Sequence, residues 1–242
     1  MSAREKVCIA LDYATREEVL AAADRFAPRA AWLKVGLEAF VASGPSIVRD
    51  VASRGSRVFL DLKLHDIPAT VERAVAAAAG SGAAMVNVHA LGGRAMLEAA
   101  GRSASKNSLE LIAVTLLTSL DARALADLPV AGHPEGIARR LARLAKECGL
   151  SGVVCAASDL ASIRGACGPD FRTVVPGIRP AAAAAADQKR TATPAEAIRA
   201  GADLLVVGRP VTAAADPDRA LDDLLAEIES TLGARGTAGS PA

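Results

Sequence analysis

Short apolar runs alternate along the chain with alanine-rich stretches that are typical of helices. A strand that is buried on both faces reads as a nearly continuous apolar run, so each run predicts a strand of a parallel sheet covered by helices. The predicted strands are residues 7–11, 31–35, 57–60, 85–89, 109–115, 152–155, 173–175 and 204–207. The predicted helices are residues 15–26, 45–54, 67–81, 94–105, 137–148, 159–166, 194–200 and 217–232.

The number of strand–helix units indicates the fold. Eight units within about 230 residues favour an α/β fold of the closed (β/α)8, or TIM, barrel type, formed as a single domain by residues 1–233. The alternative is an open doubly wound sheet. However, the first strand leads into Leu11-Asp12-Tyr13-Ala14 and not into the G-x-G-x-x-G turn of dinucleotide-binding folds. Residues 234–242 are rich in Gly, Ser, Pro and Ala and are predicted to form a disordered tail.

Composition and charge exclude several classes of partner. The 242 residues contain 28 Lys and Arg against 27 Asp and Glu, a net charge of +1 with no strongly basic or acidic segment. We therefore expect no nucleic acid and no membrane as partner. With only 2% aromatic residues, a base-stacking platform is not expected either. No apolar run approaches the roughly 20 residues of a transmembrane helix, and the polar residues 1–6 show no signal peptide.

The cysteines indicate a reducing compartment. No two of the four cysteines have C-x-x-C spacing; they are Cys8, Cys148, Cys155 and Cys167. Cys8 and Cys155 fall in predicted strands, where a cysteine is most often a small buried apolar residue. The pattern predicts a cytoplasmic protein.

Charged residues collect where predicted strands end. Asp61 and Lys63 follow the run 57–60, and because strand side chains alternate between faces, they are predicted to point the same way. Asp12 and Lys34 end two other runs. Taken singly, Asp12 is also explained as a helix cap and Lys34 as a surface lysine. Their convergence favours a catalytic site, since (β/α)8 barrels carry catalytic groups at the C-terminal ends of their strands.

The last third of the chain carries a candidate phosphate site. Gly208 and Arg209 follow the eighth strand, and the loops after strands seven and eight are the usual phosphate site of such barrels. A guanidinium group and backbone N–H groups suit a phosphate dianion, although a solvated arginine is the alternative. The connection between strands seven and eight is long enough to be a lid, with Gln188 placed to hydrogen-bond an anion. A helical turn at the six alanines 181–186 with a solvated polar face is the other interpretation.

The order and spacing of these residues resemble the orotidine 5′-phosphate decarboxylase family, in its bacterial-like type 1 form, over roughly residues 6–225. The most specific motif is Phe59-Leu60-Asp61-Leu62-Lys63-Leu64-His65-Asp66-Ile67-Pro68-Ala69-Thr70. The other motifs are Lys34-Val35-Gly36, Val86-Asn87-Val88-His89-Ala90, Pro176-Gly177-Ile178-Arg179 and Val206-Val207-Gly208-Arg209-Pro210. A shorter D-x-K-x-x-D pattern also occurs in related barrels that act on sugar phosphates with a metal, and the longer match favours the decarboxylase.

The resemblance implies decarboxylation of orotidine 5′-phosphate to UMP, the last step of de novo pyrimidine biosynthesis, without cofactor or metal and in a homodimer with shared active sites. The implied catalytic charges are Lys34, Asp61, Lys63 and Asp66. Lys63 is implied to donate the proton to C6 of the pyrimidine, Asp61 to lie beside the substrate carboxylate, and Lys34 to pair with Asp61 and reach the ribose. Asp66, with Ile67 and Thr70, is implied to enter the active site of the neighbouring subunit.

The same resemblance implies further substrate contacts. They are Asp12, Thr118, Pro176, Arg179, Gln188, Gly208 and Arg209. Asp12 is implied to bind ribose hydroxyls and Thr118 to contact the pyrimidine amide edge. The phosphate is implied to be held by Arg179, Gln188, Gly208 and Arg209. The alanines at 181–186 depart from the family, whose lid is expected to be richer in glycine and serine.

Two other functions compete with the decarboxylase. A metal-dependent sugar-phosphate aldolase or decarboxylase of the same barrel group needs an acidic pair of metal ligands, and Lys34 stands where an acid would be more useful. A catalytically inactive nucleotide-binding protein would bind UMP without turnover, which the intact Asp61, Lys63 and Asp66 disfavour.

The three histidines are too few to predict a metal site. His89, at a strand end, is predicted to orient the charge network by hydrogen bonds. We interpret His65 as structural and His133 as an exposed loop residue.

Overall fold

The strands form one closed parallel barrel in the order β1 to β8, and β8 is hydrogen-bonded back to β1. The computed structural model describes residues 2–127, 129–180 and 190–237. The predicted single-domain (β/α)8 barrel is confirmed, and the open sheet is excluded by the β1–β8 pairing. The strands are β1 Val7–Ala10, β2 Trp32–Gly36, β3 Arg57–Leu64, β4 Met85–His89, β5 Glu110–Val114, β6 Gly152–Val154, β7 Arg172–Val175 and β8 Leu204–Val207.

Helices surround the barrel. They are α1 Arg16–Phe26, α2 Leu37–Ser43, α3 Ser46–Ala52, α4 Pro68–Gly80, α5 Gly93–Lys106, α6 Ala122–Leu125, α7 Pro134–Glu147, α8 Leu160–Cys167, α9 Pro194–Arg199, α10 Arg209–Thr212 and α11 Pro217–Thr237. Three 3-10 segments are Ala3–Lys6, Ala90–Gly92 and Ala157–Asp159. The tail predicted to be disordered from residue 234 is helical as far as Thr237, where α11 ends, and residues 238–242 lie outside the described residues.

The helix α1 begins at a reciprocal capping box formed by Thr15 and Glu18. The helix α2 was not predicted. It buries only Ala39 and leaves Leu37 and Val41 exposed, so it lacks the apolar stripe by which a helix is detected in a sequence. The helices α6 and α10 have four residues each, too few to show a helical period.

Side chains of the strands alternate between the barrel interior and the layer beneath the helices. The interior cluster consists of Cys8, Ala10, Trp32, Phe59, Met85, Ile112, Val114, Val154, Val174, Leu204 and Val206. All four cysteines are buried, as predicted for Cys8 and Cys155. Large apolar side chains such as Trp32 and Phe59 fill the lower interior. The next inward-facing residues on the same two strands, Lys34 and Asp61, therefore lie at the C-terminal mouth of the barrel.

The strand β3 continues to Leu64, four residues beyond its predicted end at Leu60. Its apolar pattern stops at Leu60 because charged residues follow. The pairing of β3 with β4 is regular up to Leu60 opposite Val86, and then shifts before Leu64 pairs with Val88. Asp61 and Lys63 lie in this irregular stretch, and both side chains reach the mouth of the barrel.

Candidate active site

A cavity of about 480 Å³ opens at the C-terminal ends of the strands. It has the size of an ordinary small-molecule site. Its polar lining residues are Asp12, Lys34, Glu38, Asp61, Lys63, Thr118, Arg179, Arg209 and Thr212. Apolar side chains from β1, β3, β5, β6 and β8 form its floor, among them Phe59, Val114 and Val206. Glu38 was not among the predicted site residues, and it belongs to the unpredicted helix α2.

Two lysines and two aspartates form a continuous charge network in this cavity. Lys34 Nζ lies 2.8 Å from Asp12 Oδ1 and 3.5 Å from Asp61 Oδ2. Lys63 Nζ lies 2.7 Å from Asp61 Oδ1. The charges therefore alternate in the order Asp12, Lys34, Asp61, Lys63, and the predicted pairing of Lys34 with Asp61 is confirmed by this distance.

Burial and neighbouring charges act in opposite directions on the two innermost groups. Burial acts to lower the pKa of Lys34, but the charges of Asp61 and Asp12 outweigh it, so the pKa lies above the ordinary value of a lysine. Burial acts to raise the pKa of Asp61, but Lys34, Lys63 and hydrogen bonds from Lys63 and Asn87 outweigh it and lower the pKa. Each group favours the charged state of the other, so both are ionised at neutral pH.

Gly36 leaves room for the charge network. A Cβ atom at this position would lie 2.7 Å from Asp12 Oδ1 and 2.8 Å from Lys34 Nζ, closer than such atoms approach in proteins. A side chain at position 36 would therefore separate Lys34 from Asp12. The glycine of the Lys34-Val35-Gly36 motif is explained by this close approach.

Lys63 reaches the cavity by a backbone route that differs from the prediction. Regular alternation was expected to place Lys63 on the same face as Asp61, and both side chains do line the cavity. However, Lys63 has φ of 51°, in the left-handed region that residues other than glycine rarely adopt. Its backbone N–H donates to Asn87 Oδ1 at 2.7 Å, and Asn87 Nδ2 donates to Asp61 Oδ1 at 2.6 Å. Asn87 belongs to the motif Val86-Asn87-Val88-His89-Ala90, but the sequence did not predict a role for it.

Predicted phosphate ligands line the cavity after β7 and β8. Pro176 and Arg179 follow β7, while Gly208 and Arg209 follow β8. Two guanidinium groups and a glycine at one side of the cavity suit a phosphate group. Thr118, after β5, lines the cavity as well. The predicted anion ligand Gln188 and the alanines at 181–186 lie outside the described residues.

Three predicted site residues, Asp66, Ile67 and Thr70, are not among the residues that line this cavity. Asp66 and Ile67 are exposed at the rim, where they line a separate shallow hollow with His65, Pro68, Leu91 and Gly92. Asp66 Oδ1 accepts a hydrogen bond from Ile67 N at 2.6 Å. Thr70 lies in the first turn of α4 and is half-buried.

The histidines lie close to the rim. His65 and His89 stack with their ring centroids 5.5 Å apart. His89 Nδ1 accepts a hydrogen bond from Leu91 N at 3.5 Å, and the hydrogen bonds to Asp61 and Lys63 come from Asn87. Burial, together with the charges of His65 and Lys63, lowers the pKa of His89. His133 is exposed, as predicted.

In the ranges 2–127, 129–180 and 190–237, no group of three or more His, Cys, Asp or Glu side chains is arranged to hold a metal ion. Within the same part of the chain, no helix has both the length and the apolar composition needed to span a membrane.

The fold and the site together define a (β/α)8-barrel enzyme whose mouth combines an alternating Asp–Lys network with two arginines, Arg179 and Arg209. Residues 5–224 match the Orotidine 5′-phosphate decarboxylase / HUMPS family. The chain belongs to this family.

Relatives and solved structures agree with this assignment. The chain is 54% identical over 217 residues to Orotidine 5′-phosphate decarboxylase of Anaeromyxobacter sp. (strain K), covering 90% of this chain and 95% of the relative. It is 51% identical over 227 residues to the protein of that name from Salmonella typhimurium (strain LT2), covering 92% of each.

The structure is also similar to solved structures. It matches Orotidine 5′-phosphate decarboxylase from Lactobacillus acidophilus with a TM-score of 0.82 and 33% identity, covering 93% of this chain and 99% of the other. An uncharacterized conserved protein from Geobacillus kaustophilus matches with a TM-score of 0.80 and 40% identity, covering 92% of this chain and 99% of that one.

Proposed function

We propose that this protein decarboxylates orotidine 5′-phosphate to UMP, the last step of de novo pyrimidine biosynthesis. The observation that carries the proposal is the ion pair between Lys63 and Asp61, 2.7 Å apart, at the mouth of the barrel. Family membership and the names of the relatives support the same reaction. A cytoplasmic location is part of the proposal.

Lys63 is proposed as the proton donor. In the reaction, the bond from C6 to the carboxylate breaks, carbon dioxide leaves, and the electron pair stays on C6. An ammonium group beside C6 stabilises this charge and then transfers a proton to the carbon. Enzymes lower barriers by about 8–23 kcal/mol, and a carbanion without an electron sink needs the upper part of that range. The contact with Asp61 holds the ammonium in place before the substrate binds.

Asp61 is proposed to act on the substrate carboxylate. Its own carboxylate is held from three sides by Lys34, Lys63 and Asn87, so it cannot turn away from a second negative charge. Placing the substrate carboxylate beside it raises the energy of the bound substrate, and loss of carbon dioxide relieves the repulsion. The energy needed for this placement comes from binding the distant phosphate group.

The remaining contacts bind the nucleotide. We propose that Arg179 and Arg209 hold the phosphate together with Gly208 and Gln188. A Cβ atom at Gly208 would meet only Ala10 Cβ, at an ordinary 3.6 Å, so packing does not require a glycine there. Close approach of a ligand to the backbone explains it instead. Asp12 and Lys34 are proposed to bind the ribose, while Thr118 and Pro176 are proposed to contact the pyrimidine side.

A homodimer with shared active sites is also part of the proposal. Five large apolar side chains are exposed just after the C-terminal ends of β2 to β5, namely Leu37, Val41, Ile67, Leu91 and Leu117. An apolar rim of this kind is typical of a surface that a second subunit covers. Asp66 lies on this rim and does not line the cavity of its own chain, so we propose that it serves the cavity of a partner subunit. Ile67 and Thr70 are proposed to accompany it.

An absorbance assay tests the function. Purified protein in EDTA is mixed with orotidine 5′-phosphate, and loss of the substrate's ultraviolet absorbance is expected. Dependence on added metal would instead favour a metal-dependent sugar-phosphate enzyme. Binding of UMP by calorimetry without turnover would favour an inactive nucleotide-binding protein.

The variant Lys63→Ala tests the proton donor. We expect kcat to fall by at least about 10⁴-fold, because both an acid and a fixed positive charge are removed. Circular dichroism and UMP binding establish that the variant is folded. Lys106→Ala, at an exposed position of α5, is the matched control and should keep the parent activity.

A further inference from the structure

Asn87 occupies the one place in the barrel where β3 and β4 lose their register. Between the pairs Leu60–Val86 and Leu64–Val88, β3 advances four residues while β4 advances two. Asn87 is the residue of β4 inside this gap, and it is fully buried. A shift of this kind frees backbone groups of β3 from the regular ladder, and a buried N–H group needs another partner.

The side chain of Asn87 supplies that partner and a second contact. Its Oδ1 accepts the hydrogen bond of Lys63 N at 2.7 Å, and its Nδ2 donates to Asp61 Oδ1 at 2.6 Å. The backbone N–H of Lys63 is only a donor and an ionised Asp61 is only an acceptor, so the bridging group must both accept and donate. A neutral amide of this length meets both needs.

We propose that Asn87 is a positioning residue that sets the geometry of the Lys63–Asp61 pair for catalysis. Asn87 is not among the residues that line the cavity, so it acts through its two neighbours and not on the substrate. One contact holds Lys63 at φ of 51°, a strained conformation that persists only where the surroundings impose it. The other contact leaves Asp61 Oδ1 shared between Asn87 and Lys63, and Oδ2 turned to Lys34.

The variant Asn87→Leu removes both hydrogen bonds and keeps a similar volume. We expect kcat to fall by about 10²-fold or more, because a displacement near 1 Å of catalytic groups has effects of this size. The dissociation constant for UMP should change by less than about threefold, because Asn87 does not line the cavity and the proposed phosphate contacts come from the segments after β7 and β8. The matched control is Thr115→Val just after β5, which removes one buried hydrogen bond, to Val154 O, at a residue that does not itself line the cavity. Thr115→Val should keep the parent kcat.

The variant Asn87→Asp separates positioning from simple packing. A protonated carboxyl group can accept from Lys63 N and donate to Asp61, as the amide does, whereas an ionised one repels Asp61. Other charges around this position are Lys63, Lys34 and Asp12 on the cavity side and His89 on the same strand. The ratio of variant kcat to parent kcat is therefore expected to rise as the pH is lowered from mildly alkaline to mildly acidic. If Asn87 only fills space, the ratio of variant kcat to parent kcat should be the same at every pH.

The inference rests on the proposed function, and its failure can be told apart from failure of that function. A parent protein without decarboxylase activity refutes the function alone. A crystal structure of Asn87→Leu then decides the inference, since an unchanged left-handed Lys63 and an unmoved Asp61 would overturn it. With an active parent, a folded Asn87→Leu that keeps most of its kcat overturns it. If Asn87→Leu does not fold, a constant kcat ratio for Asn87→Asp across the pH range overturns it instead.

Discussion

Lys34 on β2 and Asp61 on the neighbouring strand β3 form an ion pair, with Lys34 Nζ 3.5 Å from Asp61 Oδ2. Oδ1 of the same carboxylate is taken by Lys63 and Asn87, so Asp61 is held before any substrate arrives. A carboxylate held in this way acts on a bound anion without first reorganising.

Asp61→Asn is expected to lower kcat by at least about 10²-fold, because the fixed charge that opposes the substrate carboxylate is lost. The KM for orotidine 5′-phosphate should fall at the same time, because a repulsive contact in the bound substrate is removed. UMP lacks this carboxylate, so its dissociation constant should change less than KM. Steady-state kinetics and calorimetry measure the three quantities. A KM that rises in parallel with the dissociation constant of UMP would contradict the proposed repulsion.

Arg209→Ala is expected to weaken UMP binding by about 10- to 150-fold, the effect of losing hydrogen bonds to a charged group. Uridine, which lacks the phosphate, should bind the variant and the parent equally. Calorimetry with both ligands makes the comparison. Arg219→Ala, at an exposed position on α11, is the control and should bind UMP like the parent. Equal losses for uridine and UMP would place Arg209 elsewhere than at the phosphate.

Lys63→Ala and Asp66→Asn are each expected to be inactive, yet to restore activity when their subunits are mixed. In a dimer with shared sites, a mixed pair contains one site with both native residues, and random mixing then yields about a quarter of the parent activity. Activity after subunit exchange is the measurement, with native mass spectrometry to count mixed dimers. Mixed dimers without activity would show that Asp66 does not serve the partner's site.

His89 is expected to make the protein less stable in mild acid. Burial, with the charges of His65 and Lys63, lowers its pKa in the folded protein below the ordinary 6.5. As the pH falls below 6.5, the unfolded chain therefore gains a proton that the folded chain does not, and stability is lost down to the folded pKa.

His89→Gln should remove this part of the acid sensitivity. Urea unfolding at about pH 7.5 and about pH 5.5, at one protein concentration, gives the free energy of unfolding at each pH. The difference between the two values is then compared between the variant and the parent. The exposed His133 is the matched site, and His133→Gln should behave like the parent. An unchanged pH dependence in His89→Gln would contradict the prediction.

Asp159→Asn is expected to destabilise the fold by about 3–5 kcal/mol, because it leaves a buried arginine without its counter-ion. Asp159 is almost fully buried, and both of its oxygens accept from Arg190 Nη1, at 3.0 and 2.8 Å. Thermal and urea unfolding measure the loss. The exposed pair Arg219–Asp223, 3.9 Å apart, supplies the control, and Asp223→Asn should leave stability unchanged. A small loss in Asp159→Asn would mean that water reaches Arg190.

The sequence alone determined the barrel and most of the groups at its mouth. Continuous apolar runs locate parallel strands because a strand covered on both faces has no polar side, and this property is local. The ends of those runs located Asp12, Lys34, Asp61, Lys63 and Arg209. The same signal missed the helix α2, which has no apolar stripe facing a core.

Only the tertiary structure decided how these groups meet. The bond from Asn87 to Asp61 joins residues 26 positions apart, and it depends on the register between β3 and β4. Alternation predicted that Lys63 would face the cavity, but not the left-handed backbone that carries it there. A side-chain period is a property of one strand, whereas a register shift and the hydrogen bond that fills it belong to two strands, so no single stretch of sequence contains them.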